Sequence, residues 1–227
     1  MPVAFTLMLT GFLGAYYMVG LDAGLQLLSA DVYRQFASYG LSVIPLFVLM
    51  GQITFRAGIS ERLFDTAYKW IGSRPGGVAA TTILASIGFS AVSGANSATT
   101  ATVGAAALPE MKKYNYSPAL SGGSIAIGGT LGVVIPPSTA LIIIAIQTEQ
   151  SIAQLFVAAI VPGLIVGLCL LLTVLLVCWR RPELGPPGPK VSWGERLRSL
   201  GGVVETLILF VGVIGGLYLG WFTPTEA

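Results

Sequence analysis

The sequence predicts an all-α integral membrane protein, a helical bundle that holds a re-entrant helical hairpin and a proline-broken transmembrane helix. Three observations carry this. Hydrophobic residues make up 54% of the chain against 10% charged, and mean hydropathy is +0.82. Apolar runs long enough for membrane helices recur, which excludes a soluble core and favours helices over a barrel. Second, Ser93-Gly94-Ala95-Asn96-Ser97-Ala98-Thr99-Thr100 interrupts apolar sequence: seven of the thirteen residues from Ser90 to Thr102 carry a hydroxyl or amide, yet the flanks 78–92 and 101–108 read as membrane interior. Third, Ile135-Pro136-Pro137-Ser138-Thr139 breaks another apolar stretch. Irregular backbone at membrane depth leaves N–H and C=O groups unpaired at several kcal/mol each, so it persists where it lines a cavity or binds something.

The elements follow in order. Residues 1–75 hold N-terminal membrane helices and an interfacial amphipathic helix. Val3 to Val19 is a first helix behind Pro2, a residue tolerated at helix starts. Leu21 to Gly40, with Asp22, Asp31 and Arg34, reads as a short outer connection. Leu41 to Phe55 is apolar and contains Pro45. Beyond it Leu63, Ala67, Trp70 and Ile71 recur at helical spacing against Arg62, Asp65 and Lys69, which suggests a helix lying on the inner surface, with a solvated helix face as the alternative.

Residues 76–148 hold both interruptions and form the candidate site region. From Gly76 to Pro109 the chain is too long for one span, but two legs of roughly 15 residues reach only about 22 Å each, short of the roughly 30 Å hydrocarbon core. Two half-spans fit better. Arg74 before the stretch and Lys112 and Lys113 after it are basic, so both ends belong on the cytoplasmic face. The result is a re-entrant hairpin over 76–109, followed by a broken helix over 118–146 that starts at Pro118. Residues 149–180 hold a transmembrane helix, Ala153 to Cys178, stopped by Trp179-Arg180-Arg181. Residues 181–201 read as a cytoplasmic Pro-rich linker, interfacial from Ser192 to Leu200, and 202–227 as the last transmembrane helix and the truncated start of a second repeat.

Charge placement supports this topology, because every Lys and Arg except Arg34 falls on the inner face. Glu205 lies near the inner end of the last helix and reads as interfacial rather than as a proton relay. There is no histidine, and Cys169 and Cys178 lie nine residues apart on one apolar helix, which points to buried structural thiols rather than a disulfide or metal site. No signal peptide is evident. A net charge of +2 implies no nucleic-acid partner. An intramembrane enzyme would need a base, nucleophile or metal ligand in the membrane, and the spans carry no histidine and no deep carboxylate.

The two interruptions suggest their own chemistry. Pro136 and Pro137 lack N–H groups, so the carbonyls of Gly132 and Val133 lose their helical partners. Together with the Ser138 and Thr139 hydroxyls they make an oxygen-rich nest suited to sodium, although a plain proline kink would leave the same sequence. At the hairpin tip a helix restarts near Ser97, and its free N–H groups and positive dipole end attract a carboxylate. Gly94, Ala95, Asn96, Ser97 and Thr99 are the expected substrate-binding residues; Ser93, Asn96, Gly132, Val133, Pro136 and Ser138 are the expected sodium-binding set. No cofactor and no further metal is implied. Ser and Thr joining helices is the competing use of such residues. Gly128, Gly129 and Gly132 allow close approach by a neighbour such as the tip. A channel would use a symmetric ring, so one asymmetric tip favours a carrier.

At these residues the sequence resembles the large membrane subunit (M, or DctM-type) of TRAP transporters, the tripartite ATP-independent periplasmic systems. The match rests on Phe89-Ser90-Ala91-Val92-Ser93-Gly94, Leu108-Pro109-Glu110-Met111, Gly132-Val133-Val134-Ile135-Pro136-Pro137-Ser138, Ile160-Val161-Pro162-Gly163 and Phe222-Thr223-Pro224-Thr225-Glu226-Ala227. The resemblance covers nearly the whole chain and implies one inverted repeat of an elevator-type transporter of the bacterial inner membrane. Such a permease takes up organic acids, C4-dicarboxylates or sialic-acid-like carboxylates, by symport with sodium. Its partners would be a small four-helix membrane subunit and a periplasmic substrate-binding protein, in addition to the lipid bilayer. Another sodium-coupled carrier that lacks a binding protein is the alternative, and a channel is a more distant one. The family often has Ser-Gly-Ser-Ser at the tip where this chain has Ser93-Gly94-Ala95-Asn96, so Asn96 is expected to replace the hydroxyl missing at 95. The family's second repeat would follow Ala227, which makes the chain an expected N-terminal fragment.

Overall fold

A computed structural model describes residues 3–37, 39–223 and 226. Pro2, Pro224, Thr225 and Ala227, on which parts of the sequence reading fall, lie outside them. The described residues form eleven α-helices and two short 3-10 turns, with no strand among them. The chain divides into two compact units, Met1–Ser42 and Val43–Ala227.

The first unit pairs α1 (Val3–Val19) with α2 (Leu21–Phe36) and ends in a 3-10 turn, Tyr39–Ser42. Helix α2 is a correction, since residues 21–40 were expected to be a connection. Asp22 in its first turn and Arg34 in its last complement the helix dipole, so charges that suggested a loop instead suit the two ends of a helix.

The second unit is built around α5 (Gly77–Ser93), which packs against α3 (Val43–Arg56), α4 (Ile59–Ile71), α6 (Asn96–Lys113), α7 (Pro118–Val134), α9 (Ile152–Arg180) and α11 (Gly201–Leu219). Helix α8 (Thr139–Gln147) follows the proline break, and α10 (Trp193–Ser199) precedes α11. Small residues explain the central place of α5: Ala79, Ala80, Thr81, Thr82, Ala85, Ser86 and Ser90 are all buried, and such side chains let neighbouring backbones approach. The Thr81 and Thr82 hydroxyls donate to the carbonyls of Gly77 and Val78 one turn back, so their burial leaves no orphan.

Helix α4 has the amphipathic stripe, but its apolar face meets protein. Leu63 and Phe64 are buried in one cluster with Phe89 of α5 and Val103 of α6, and a Cβ on Gly88 would lie 3.2 Å from the Leu63 methyls. Trp70, expected on that stripe, is exposed and donates its Nε1–H to Arg196 O at 3.3 Å. Glu205 pairs with Arg62 at 2.6 Å, and both side chains are about half exposed. That makes the pair a surface contact worth about 0–1 kcal/mol.

The hairpin closes at its base. The Val78 N–H, in the first turn of α5, donates to Tyr116 Oη at 3.1 Å, so chain positions before and after the hairpin meet. Its legs run 17 and 18 residues, about 25 and 27 Å at 1.5 Å per residue. The second leg is longer than expected because α6 continues through Pro109 to Lys113. The Pro-rich segment, read as a linker, is tied to that base: Gly76 N–H donates to Gly185 O at 2.7 Å, Ser117 N–H to Leu184 O at 2.9 Å and Gly188 N–H to Gly72 O at 2.9 Å. Proline lacks a donor, but the carbonyls and glycine N–H groups between the prolines still bond.

Three stretches among the described residues are long and apolar enough to cross a membrane, Pro118–Gln147, Ile152–Arg180 and Trp193–Leu219. Helices α3 and α4 meet at a 59° bend and together pass the same test. On α9 the thiols differ from expectation, because Cys178 is buried but Cys169 is exposed. Only 17% of the most apolar window of α9 is buried, so most of its positions, Cys169 included, face outward.

Candidate functional site

Each interruption is a short extended segment between two helices. Helix α5 stops at Gly94 (φ 62°), Ala95 is extended, and α6 begins at Asn96, one residue before the expected start. Only glycine fits position 94, because its φ is left-handed and a Cβ would lie 2.6 Å from Pro137 O. Helix α7 stops before Ile135, and α8 begins at Thr139 after an extended Ser138.

The two breaks bond to each other. Gly94 O accepts the Thr139 N–H at 3.0 Å and the Thr139 hydroxyl at 3.1 Å. The α7 glycines complete the contact: a Cβ on Gly132 would lie 2.8 Å from Thr99 Oγ1 and 3.0 Å from Ala95 O, one on Gly129 would meet Thr100, and one on Gly128 would meet Ser86 Oγ at 2.6 Å. Two helix C-termini (α5, α7) and two N-termini (α6, α8) therefore converge, offering partial negative and partial positive charge side by side.

The expected residues sort into two layers. Ser93, Gly94, Thr99, Gly132, Pro136 and Ser138 are buried; Asn96, Ser97 and Val133 are exposed, and Ala95 is intermediate. The exposed group, with Thr100, Ala101 and Thr139, borders an open cleft of about 630 Å³. Thr99, expected with the substrate group, sits instead beside Ser93, with their hydroxyls 3.0 Å apart, and donates to Ala95 O at 3.0 Å. Asn96, expected in both groups, lies at the cleft, where its Oδ1 accepts from Thr100 Oγ1 at 3.3 Å.

Donors and acceptors are unevenly spent. The N–H groups of Asn96, Ser97 and Ala98 have no partner among the described residues, since the first bond into α6 is Thr99 N–H to Ala95 O. Gly132 O lacks a donor among them, as Pro136 dictates, but Val133 O is taken by the Ser138 hydroxyl at 2.7 Å. Ser138 therefore caps one of the freed carbonyls while keeping its own lone pairs. Sequence reading named the Thr139 hydroxyl beside Ser138 but not its bonds to Gly94, and it missed Thr100, Ser86 and Ser90 as site residues. Ser86 and Ser90 are buried without partners, and they share a face of α5 with Ser93. Their spacing of four and three was the available signal. The free N–H groups suit an anion, and the neutral oxygens suit a hard cation.

Comparison with known proteins decides the family. The family described as "Tripartite ATP-independent periplasmic transporter, DctM component" matches residues 1–227. The chain belongs to that family. It is 38% identical over 200 residues, 88% of the chain and 46% of the relative, to the C4-dicarboxylate TRAP transporter large permease protein DctM of Pseudomonas aeruginosa. To the 2,3-diketo-L-gulonate TRAP transporter large permease protein YiaN of Escherichia coli it is 35% identical, over the whole chain and 52% of the relative. To the sialic acid TRAP transporter large permease protein SiaM of Vibrio cholerae it is 31% identical, with the same coverage. The chain thus spans about half the length of the curated relatives it matches. These DctM-component relatives are named as transporter permeases, not enzymes, and the apolar helices described above make this chain a multi-pass membrane protein. Their substrates differ in kind, so family membership alone selects no substrate.

Proposed function

We propose that this chain supplies half of the translocation site of a sodium-coupled TRAP permease that takes up an organic acid across the bacterial inner membrane. A small membrane subunit and a periplasmic binding protein would be its partners. The observation that carries the proposal is the pair of bonds from Thr139 to Gly94 O, which make two polar interruptions one structure beside an open cleft. A substrate carboxylate meets the free N–H groups of Asn96, Ser97 and Ala98. Sodium takes oxygens of the buried layer, chiefly Gly132 O, Ser93 Oγ and Ser138 Oγ, with Asn96 Oδ1 reaching from the cleft side. All these ligands are neutral, so the carboxylate offsets the cation's charge and each ligand strengthens the binding of the other, as linkage requires.

The test is uptake in proteoliposomes that hold the assembled transporter. Ser138→Ala removes one oxygen but leaves both prolines, so it should raise the sodium concentration for half-maximal uptake by roughly 5- to 150-fold, the range of ordinary coupling energies. Unchanged sodium dependence in Ser138→Ala, Ser93→Ala and Asn96→Ala alike would reduce the polar interruptions to helix-joining contacts.

A further inference from the structure

We propose that the cleft between α7 and α9 binds one anionic phospholipid, with an acyl chain between the helices and the phosphate at Arg180 and Arg181. The cleft holds about 170 Å³, and α9 lines it with Leu170, Thr173, Val174 and Val177. Seven residues of helix extend about 10 Å, so the space is long and narrow, as a hydrocarbon chain requires. Its hydroxyls ask for no polar ligand, because Thr173 donates to Cys169 O at 2.7 Å and Ser124 to Ser121 O at 3.1 Å. Both walls belong to stretches long and apolar enough to cross a membrane.

Charge selects the occupant. Positions 170, 173, 174 and 177 form one stripe of α9, the next position on that stripe is 180, and Arg181 follows it at the C-cap of the helix. The acyl cleft therefore runs out beneath two arginines. Both are exposed, and neither makes an ion pair among the described residues, nor does Glu183, the nearest carboxylate in sequence. Helices α7 and α9 are antiparallel, since Ile135 lies against Gly163 whereas Ser117 bonds Leu184. The start of α7 thus flanks the same end of the cleft. Basic groups beside a cleft between membrane helices hold acidic headgroups, at about 1 kcal/mol for each Lys or Arg near the surface.

The experiment is native mass spectrometry of the whole chain in detergent, with phosphatidylglycerol and phosphatidylcholine as competing probes. One phosphatidylglycerol should be retained with about 30-fold preference, roughly a factor of five per arginine. Arg180→Gln with Arg181→Gln should bring the preference to about one. Gly123→Leu should weaken retention of both lipids, because Gly123 lines the cleft and a Cβ there meets nothing within 4 Å. Thr173→Phe fills the cleft from the opposite wall and decides the point if Gly123→Leu does not fold. Gly122→Leu, equally unobstructed but not a lining residue, should leave retention unchanged. Equal retention of the two lipids by the unsubstituted chain would overturn the proposal. So would full retention of phosphatidylglycerol by both filled variants, which would reduce the effect to surface charge, or displacement of the lipid by inorganic phosphate.

Discussion

Gly129 shows how tightly the two breaks are pressed together. A Cβ there would lie 1.8 Å from Thr100 Oγ1 and 2.9 Å from Thr100 Cβ, so rotating the hydroxyl away does not make enough room. Gly129→Ala should therefore cost about 1–3 kcal/mol, as overpacking does, whereas Gly122→Ala on the same helix, with nothing within 4 Å, should be neutral or slightly stabilising. Unfolding of the two variants in detergent checks this, and equal stabilities would mean that α7 does not press on the hairpin tip. The glycines were legible in the sequence as a face made for close approach. Their partners Thr100 and Ser86 were not, because which hydroxyl meets which glycine depends on how the two helices are set against each other. For the same reason Thr99 and Asn96 were assigned by type and chain position, whereas burial separates them.

At the scale of elements, Tyr116 is the latch of the hairpin. Burial pushes its phenol up to about 12 from the ordinary 10, with the bond from Val78 N–H acting in the opposite direction. A phenol whose pKa is raised by folding keeps its proton in the native state after the unfolded chain has lost it. Stability should then decline as pH climbs from about 10 to about 12, and Tyr116→Phe should remove that part of the decline. A thermal melt series over this range reads the effect; identical pH profiles with and without the phenol would place the latch elsewhere. Helix periodicity made α4 and the broken helix legible. It could not show that the α4 stripe meets α5 rather than a surface, since periodicity reports an apolar face and not its partner. The Pro-rich segment misled in the other direction: prolines suggest a free linker, but Gly76, Ser117 and Gly188 fix it to the hairpin base.

At the scale of the whole molecule, α5 is the axis on which the second unit is assembled, and the side of the membrane its base faces decides how the site is reached. The basic residues at both ends of the hairpin lead us to propose that Arg74 and Lys112 face the cytoplasm. Cysteine at either position, in a chain with Cys169 and Cys178 replaced, should resist a membrane-impermeant thiol reagent applied outside intact cells. Labelling of one from outside would make the stretch a complete span. The central claim, that the two breaks form one site for sodium and a carboxylate, is tested most directly at Ser97, which is exposed at the cleft. With Ser97→Cys as the sole thiol in the assembled transporter, sodium and substrate together should slow its reaction with a maleimide by at least about fivefold, the lower end of ordinary coupling. Either alone should do less, and Ser138→Ala should move the effect to higher sodium. A reaction rate indifferent to both ligands, in a transporter whose uptake still requires sodium, would contradict the account.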